Sequence, residues 1–106
     1  MTSQEQMGFR ALADPTRRNI LQLLATQDMT IGEVSENFDM TRAAVKKHLT
    51  ILSEGNLICV QTDGRSRRNT LNADGLKHLF DWFGYFDVFW DSKLNTLKSE
   101  IEKDIQ

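Results

Sequence analysis

Thr41-Arg42-Ala43-Ala44-Val45-Lys46-Lys47-His48-Leu49-Thr50-Ile51-Leu52 orders the reading of everything around it. At the angular step of a helix, Ala44, Val45, His48, Leu49, Ile51 and Leu52 fall together on one side, and Arg42, Ala43, Lys46, Lys47 and Thr50 on the other. The first arc is a face for a core. The second carries three cations, and no acid occurs from Thr41 through Ser53 to pair with them. A helix that merely faces water mixes acids among its bases for i,i+4 pairing, so an acid-free cationic face points to an anionic partner. Thr41 predicts the N-cap of this helix and Gly55-Asn56 its stop.

Charge supports the same partner. The net charge of the 106 residues is −2, which by itself argues against nucleic acid. The total hides a gradient: residues 1–40 and 71–106 are each net −3, whereas residues 41–70 hold six bases against Glu54 and Asp63 and are net +4. Phosphate attraction is local over a Debye length of about 8 Å, so the basic middle counts and the acidic flanks do not cancel it.

Upstream, Glu5 to Leu12 reads as a weakly amphipathic helix with Met7, Phe9 and Leu12 along one face. Asp14-Pro15 opens a second helix, with Asp14 as cap and Pro15 at its first position; Ile20, Leu21, Leu23 and Leu24 are its buried stripe to about Ala25. Thr26-Gln27-Asp28 reads as a loop. Thr30-Ile31-Gly32-Glu33 is a capping box opening a short third helix that turns Ile31, Val34 and Phe38 inward, with Asn37 and Asp39 marking its end.

Downstream, Leu57 to Thr62, then Asp63-Gly64-Arg65-Ser66-Arg67-Arg68, then Asn69 to Asn72 form a β-hairpin signature with Asp63-Gly64 as its turn signal. Arg65, Arg67 and Arg68 crowd its tip, where arginine suits backbone or minor-groove contact. From Ala73 onward one long helical pattern without proline repeats Leu79, Phe83, Phe86, Trp90, Leu94, Leu97, Ile101 and Ile105 at spacings of three and four. Phe80, Trp82, Phe83, Tyr85, Phe86, Phe89 and Trp90 also lie on it. A helix of about 30 residues is ~45 Å long, more than a domain this small covers alone, so it predicts a second copy.

Other chemistries find no support. No apolar run reaches the ~18 residues of a membrane span, and the start has neither the basic nor the apolar region of an export signal, which makes the cytoplasm the expected location. The single cysteine, Cys59, supplies neither an internal disulfide nor a thiolate cluster, and its place between Ile58 and Val60 predicts a packed small residue. There is no nucleophile with a base, no phosphate-cradling glycine loop and no carboxylate pair at an apolar site, so no enzyme and no cofactor are expected.

Helix, helix, capped helix, turn, cationic helix, hairpin, long helix is the order of a winged helix-turn-helix, and the chain resembles the ArsR/SmtB family of bacterial transcriptional repressors. The resemblance lies in Ala11-Leu12-Ala13-Asp14-Pro15-Thr16-Arg17-Arg18-Asn19-Ile20-Leu21, in Thr41 through Leu52 with Gly55-Asn56-Leu57-Ile58, and in the wing from Asp63 to Asn72, where Asn69 stands in place of a common aromatic. It implies a mainly α, single-domain fold over 1–106: the helix-turn-helix at 30–54, the β-hairpin wing at 57–72 and a C-terminal dimerisation helix at 73–104. It implies base reading by Arg42, Ala43, Lys46 and Lys47. Thr30 and Thr41 at helix N-termini, with Arg65, Arg67 and Arg68, are then expected to hold phosphate or the minor groove. The dimer interface is expected from Met7, Leu79, Phe83, Phe86, Trp90, Leu94 and Leu97.

Many members of that family sense metals, and here the sequence departs. The third helix lacks the thiolate pair, and His78, the only histidine after His48, has at most Asp74 or Asp81 beside it, too few ligands for a soft or borderline metal. No metal site is therefore expected. The partners implied are double-stranded DNA and a second copy of the chain, with no membrane; a small-molecule or protein inducer is left open. A competing reading keeps the fold but makes the chain an interaction module whose aromatic helix binds another protein.

Overall fold

The computed structural model describes residues 1–105 in ten elements: α1 (Ser3–Leu12), α2 (Pro15–Thr26), β1 (Met29–Thr30), α3 (Ile31–Ser35), α4 (Arg42–Glu54), β2 (Ile58–Asp63), β3 (Ser66–Leu71), α5 (Ala73–Trp82), a 3₁₀ turn (Phe83–Phe86) and α6 (Asp87–Ile105). The first four helices start where a side-chain oxygen replaces the missing backbone acceptor. Thr2 and Glu5 form a capping box at α1, as Thr30 and Glu33 do at α3. Asp14 accepts from the Arg17 amide with Pro15 at the first helical position of α2, and Thr41 accepts from the Ala44 amide of α4.

The core lies where α1, α2, α3 and α4 meet the base of the sheet. Ile20, Leu52, Leu57, Val34 and Val45 are its largest fully enclosed side chains, and Leu21, Leu24, Leu49 and Ile58 complete it. The expected stripes of α2 and α4 face the core, with Ile20, Leu21, Leu24, Val45, Leu49 and Leu52 buried and Leu23, Ala44, His48 and Ile51 half-buried at their margins, but α1 differs. Its buried residues are Gly8 and Ala11, Phe9 and Leu12 are half-buried, and Met7 is exposed. The cause is close approach: a Cβ on Gly8 would stand 2.9 Å from the methyls of Leu79 and 3.3 Å from the Gly55 carbonyl oxygen. The face lacking side chains is the one that docks.

Helix α4 ends in a Schellman motif. The Leu57 amide donates to the Leu52 carbonyl and the Asn56 amide to the Ser53 carbonyl, both at 3.0 Å, while Leu52 and Leu57 share the core. The left-handed residue is Asn56 (φ 63°), and Gly55 sits at φ −77°. Gly55 is small for another reason, since a Cβ there would lie 3.1 Å from the Met7 carbonyl oxygen.

The hairpin is the expected one, with β2 and β3 antiparallel in the register Asp63↔Ser66 to Ile58↔Leu71 and Gly64 (φ +63°) opening the two-residue loop. A third strand was not expected: β1, which lies between the Thr26–Asp28 loop and α3 and includes the Thr30 cap, pairs antiparallel with β3 to give the order β1-β3-β2, with Met29 opposite Asn69 and Thr30 opposite Arg68. Asn69 becomes the middle of the sheet's root, 5% exposed, and its Nδ2 donates to the Met29 carbonyl at 3.2 Å.

The long C-terminal helix is interrupted. Phe83–Phe86 tighten to 3₁₀ geometry around Gly84, and α5 and α6 separate there. Trp82 faces inward, packing edge-on against Phe9 (5.7 Å), Phe83 (5.3 Å) and Phe86 (5.3 Å). Leu79 corrects the expected interface: it is 4% exposed, in the protomer's own core against Gly8. By contrast α6 packs chiefly on the 3₁₀ turn, and every residue of it from 87 to 103 is exposed. The molecule extends to 64 × 31 × 23 Å with a radius of gyration of 18.6 Å, well above the roughly 13 Å of a compact chain this long.

Candidate nucleic-acid interface

Helix α4 and the hairpin bound an open cleft of about 640 Å³. Arg42, Ala43, Lys46 and Thr50 line one wall from the outward arc of α4, Val60 and Arg67 line the other from the hairpin, and Glu54 closes the far end. The arc follows from the helix period: burying Val45, Leu49 and Leu52 turns residues 42, 43, 46, 47 and 50 outward, and all five are exposed. Lys47 stands outside the cleft lining on the same face. Thr50 and Ser53, which also line the cleft, were not among the expected contact residues, although the i, i+4, i+7 step from Lys46 points to them.

The short helix α3 abuts this face. Arg42 reaches toward it, its Nη2 lying 4.0 Å from where a Cβ on Gly32 would stand. Thr30 is half-buried, its hydroxyl accepting from the Glu33 amide at 3.2 Å while Glu33 Oε1 accepts from the Thr30 amide at 3.2 Å. The bond from the Thr30 amide, then the Thr30 side chain beside the carboxyl and the Arg68 charge, hold the Glu33 carboxyl below its ordinary value of 4.5. Both Thr30 and Thr41 thus serve as caps, with Thr41 exposed at the cleft-side start of α4.

The three arginines of the wing separate. Arg65 in the loop and Arg67 on β3 are exposed. Arg68 is tethered: its Nη2 donates to the Asp28 carbonyl at 3.0 Å and lies 3.9 Å from Glu33 Oε1. It ties the root of the wing to α3, and its guanidinium is the least free of the three. Behind α4, His48 Nδ1 stands 3.3 Å from Arg17 and 4.0 Å from Asp14 Oδ2. The Arg17 amide, then the charges of Arg17 and His48, lower the Asp14 carboxyl below 3.8. His48 is therefore packed into the seam between α2 and α4.

Cys59 is exposed on β2, not packed as its neighbours suggested, because β2 faces solvent on both sides beyond Ile58. His78 Nε2 stands 3.1 Å from Glu5 Oε1, and among the described residues no three His, Cys, Asp or Glu side chains are gathered as metal ligands. No described helix is long and apolar enough to cross a membrane. Of the expected interface residues other than Leu79, Met7, Phe83, Phe86, Trp90, Leu94 and Leu97 are all between 41% and 62% exposed.

Residues 14–59, which span α2, α3 and α4, match the family described as bacterial regulatory protein, arsR family. The chain is 36% identical over 74 residues to the transcriptional repressor SdpR of Bacillus subtilis, covering 70% of this chain and 82% of that one. It is 32% identical over 97 residues to the HTH-type transcriptional regulator Rv2034 of Mycobacterium tuberculosis, covering 92% and 88%. The solved structure of an ArsR-like transcriptional regulator from Rhodococcus sp. RHA1 superposes with a TM-score of 0.75 at 26% identity, covering 92% of each chain. With the cationic helix, the capped α3 before it and the wing after it all in place, the chain belongs to the ArsR family of winged helix-turn-helix transcriptional regulators.

Proposed function

We propose that this protein is a homodimeric repressor that reads an inverted-repeat operator with α4 and grips the flanking backbone with the wing. The observation that carries the reading is the cleft in which Arg42, Lys46 and Arg67 converge while α4 offers no acid before Glu54. Arginine or lysine facing guanine O6 and N7 is the commonest specific contact, so each half-site holds at least one G-containing step, and two copies of α4 enter successive major grooves about 34 Å apart. Arg65 and Arg67 take phosphate or the minor groove, and Arg68 sets the angle of the wing. Thr30 and Thr41 offer helix N-terminal amides to phosphate. Phe83, Phe86, Trp90, Leu94 and Leu97, with Met7, form the dimer face, since a helix half-exposed along an apolar stripe lowers its free energy by pairing. The protein does not respond to metal through thiolates on α3, where no cysteine or histidine stands.

The test is binding of the purified protein to DNA from its own upstream region. Arg42→Ala and Lys46→Ala should each weaken specific binding while leaving the melting temperature unchanged; unchanged affinity in both removes α4 from the interface. The uncovered aromatic helix also fits a second reading, an interaction module for a different protein. Self-association of the isolated chain decides against that module, and a monomer decides for it.

A further inference from the structure

Helix α6 presents Trp90, Leu94, Leu97 and Ile101 at spacings of four, three and four, each between 51% and 62% exposed. This is the repeat of a two-helix seam. Its flanks are charged and unmixed in position: Lys93 and Glu100 lie along one side of the stripe, Asp91 and Lys98 along the other, all exposed. Within the chain these groups are held loosely. Lys98 lies 4.0 Å from Glu102, and Lys93 stands over the Phe89 ring at 5.7 Å.

We propose that two copies of α6 pair antiparallel in a single register, with Trp90 against Ile101 and Leu94 against Leu97 of the second copy. The inference rests on the homodimer proposed above and adds its geometry. In this register Lys93 meets Glu100 on one flank and Asp91 meets Lys98 on the other, and the two-fold axis repeats each pair. The alternatives set like charges together. A parallel pair brings Lys93 against Lys98. Sliding the antiparallel pair by one heptad faces Lys93 with Lys93 and Asp91 with Asp91, and sliding it the other way faces Glu100 with Glu100 and Lys98 with Lys98. The apolar stripe supplies the attraction, and the flanking charges choose the register.

The test uses the full chain carrying Cys59→Ser and a single spin label introduced through Thr96→Cys or Lys103→Cys, positions one heptad apart on the outer side of α6. With a rise of about 1.5 Å per residue, the antiparallel register places the two 96 positions nearly level and the two 103 positions about 22 Å apart along the axis. A label-to-label distance clearly longer at 103 than at 96 is expected. Equal distances at both positions in a protein that is dimeric by light scattering overturn the register and leave the dimer standing, whereas a monomer overturns the dimer itself. As a second arm, Lys93→Glu should weaken dimerisation by about tenfold, and adding Glu100→Lys should restore it. Failure of the double variant to recover contradicts the pairing.

Discussion

Arg42 and Lys46 project from one face of a helix whose other face is fixed in the core by Val45, Leu49 and Leu52, so removing either cation leaves packing alone. Arg42→Ala and Lys46→Ala are expected to cost about 1–3 kcal/mol each in operator binding, measured by fluorescence anisotropy, with no change in urea midpoint. Glu33 and Asp14 make a different prediction. Both carboxyls titrate below their ordinary values of 4.5 and 3.8. A depressed folded-state value means the stabilisation is complete above the ordinary value and is lost as pH falls through the lowered one. Stability should therefore decline as pH falls below about 4.5. Glu33→Gln and Asp14→Asn, which keep a capping oxygen but no charge, should flatten that decline in urea titrations. At this scale much was legible, because caps and outward cations follow from local sequence and helix period. The tether of Arg68 to Asp28 was not, since it joins residues 40 apart in the chain through a strand that local pattern does not reveal.

Among the elements, the junction of α4, β2 and α5 is the most tightly fitted. Asn72 Nδ2 donates to the Asn56 carbonyl at 2.9 Å, the Asn72 amide donates to the Leu57 carbonyl, and Gly75 presses its α-carbon against the same turn. A Cβ on Gly75 would collide with the Asn56 carbonyl oxygen, a backbone atom that cannot swing aside. Gly75→Ala should destabilise the fold by roughly 3 kcal/mol, read from the urea midpoint. Nothing in the sequence marks this glycine as special, since its constraint is a contact made across the fold. Strand β1 was illegible for a related reason: two residues carry no period, and the pairing of Met29 with Asn69 exists only once the hairpin folds back. The break at Phe83–Phe86 interrupts a pattern whose apolar spacing continues unbroken, because Trp82 turns in toward Phe9 and the turn tightens behind it.

As a whole molecule the chain has two unlike ends. One is a packed domain whose cationic cleft faces outward, and the other is a 19-residue helix with its apolar stripe uncovered. That asymmetry was visible in the sequence as a basic middle and an aromatic tail, but the assignment of Leu79 to the protomer core required knowing that Gly8 opens a place for it. The acidic flanks also matter at this scale. In the proposed reading they confine phosphate attraction to α4 and the wing, so Arg67→Ala should weaken binding to all duplexes alike and lower the salt slope by about one, whereas Arg42→Ala should act most on the cognate site.

Titration of the intact protein against a duplex from its own upstream region, repeated from low to moderate salt with stoichiometry read at saturation, bears most directly on the claim that α4 and the wing grip DNA as a dimer. Two chains per site, preference over bulk competitor DNA, and affinity falling steeply with salt are expected. One chain per site, or affinity indifferent to both salt and sequence, would contradict it.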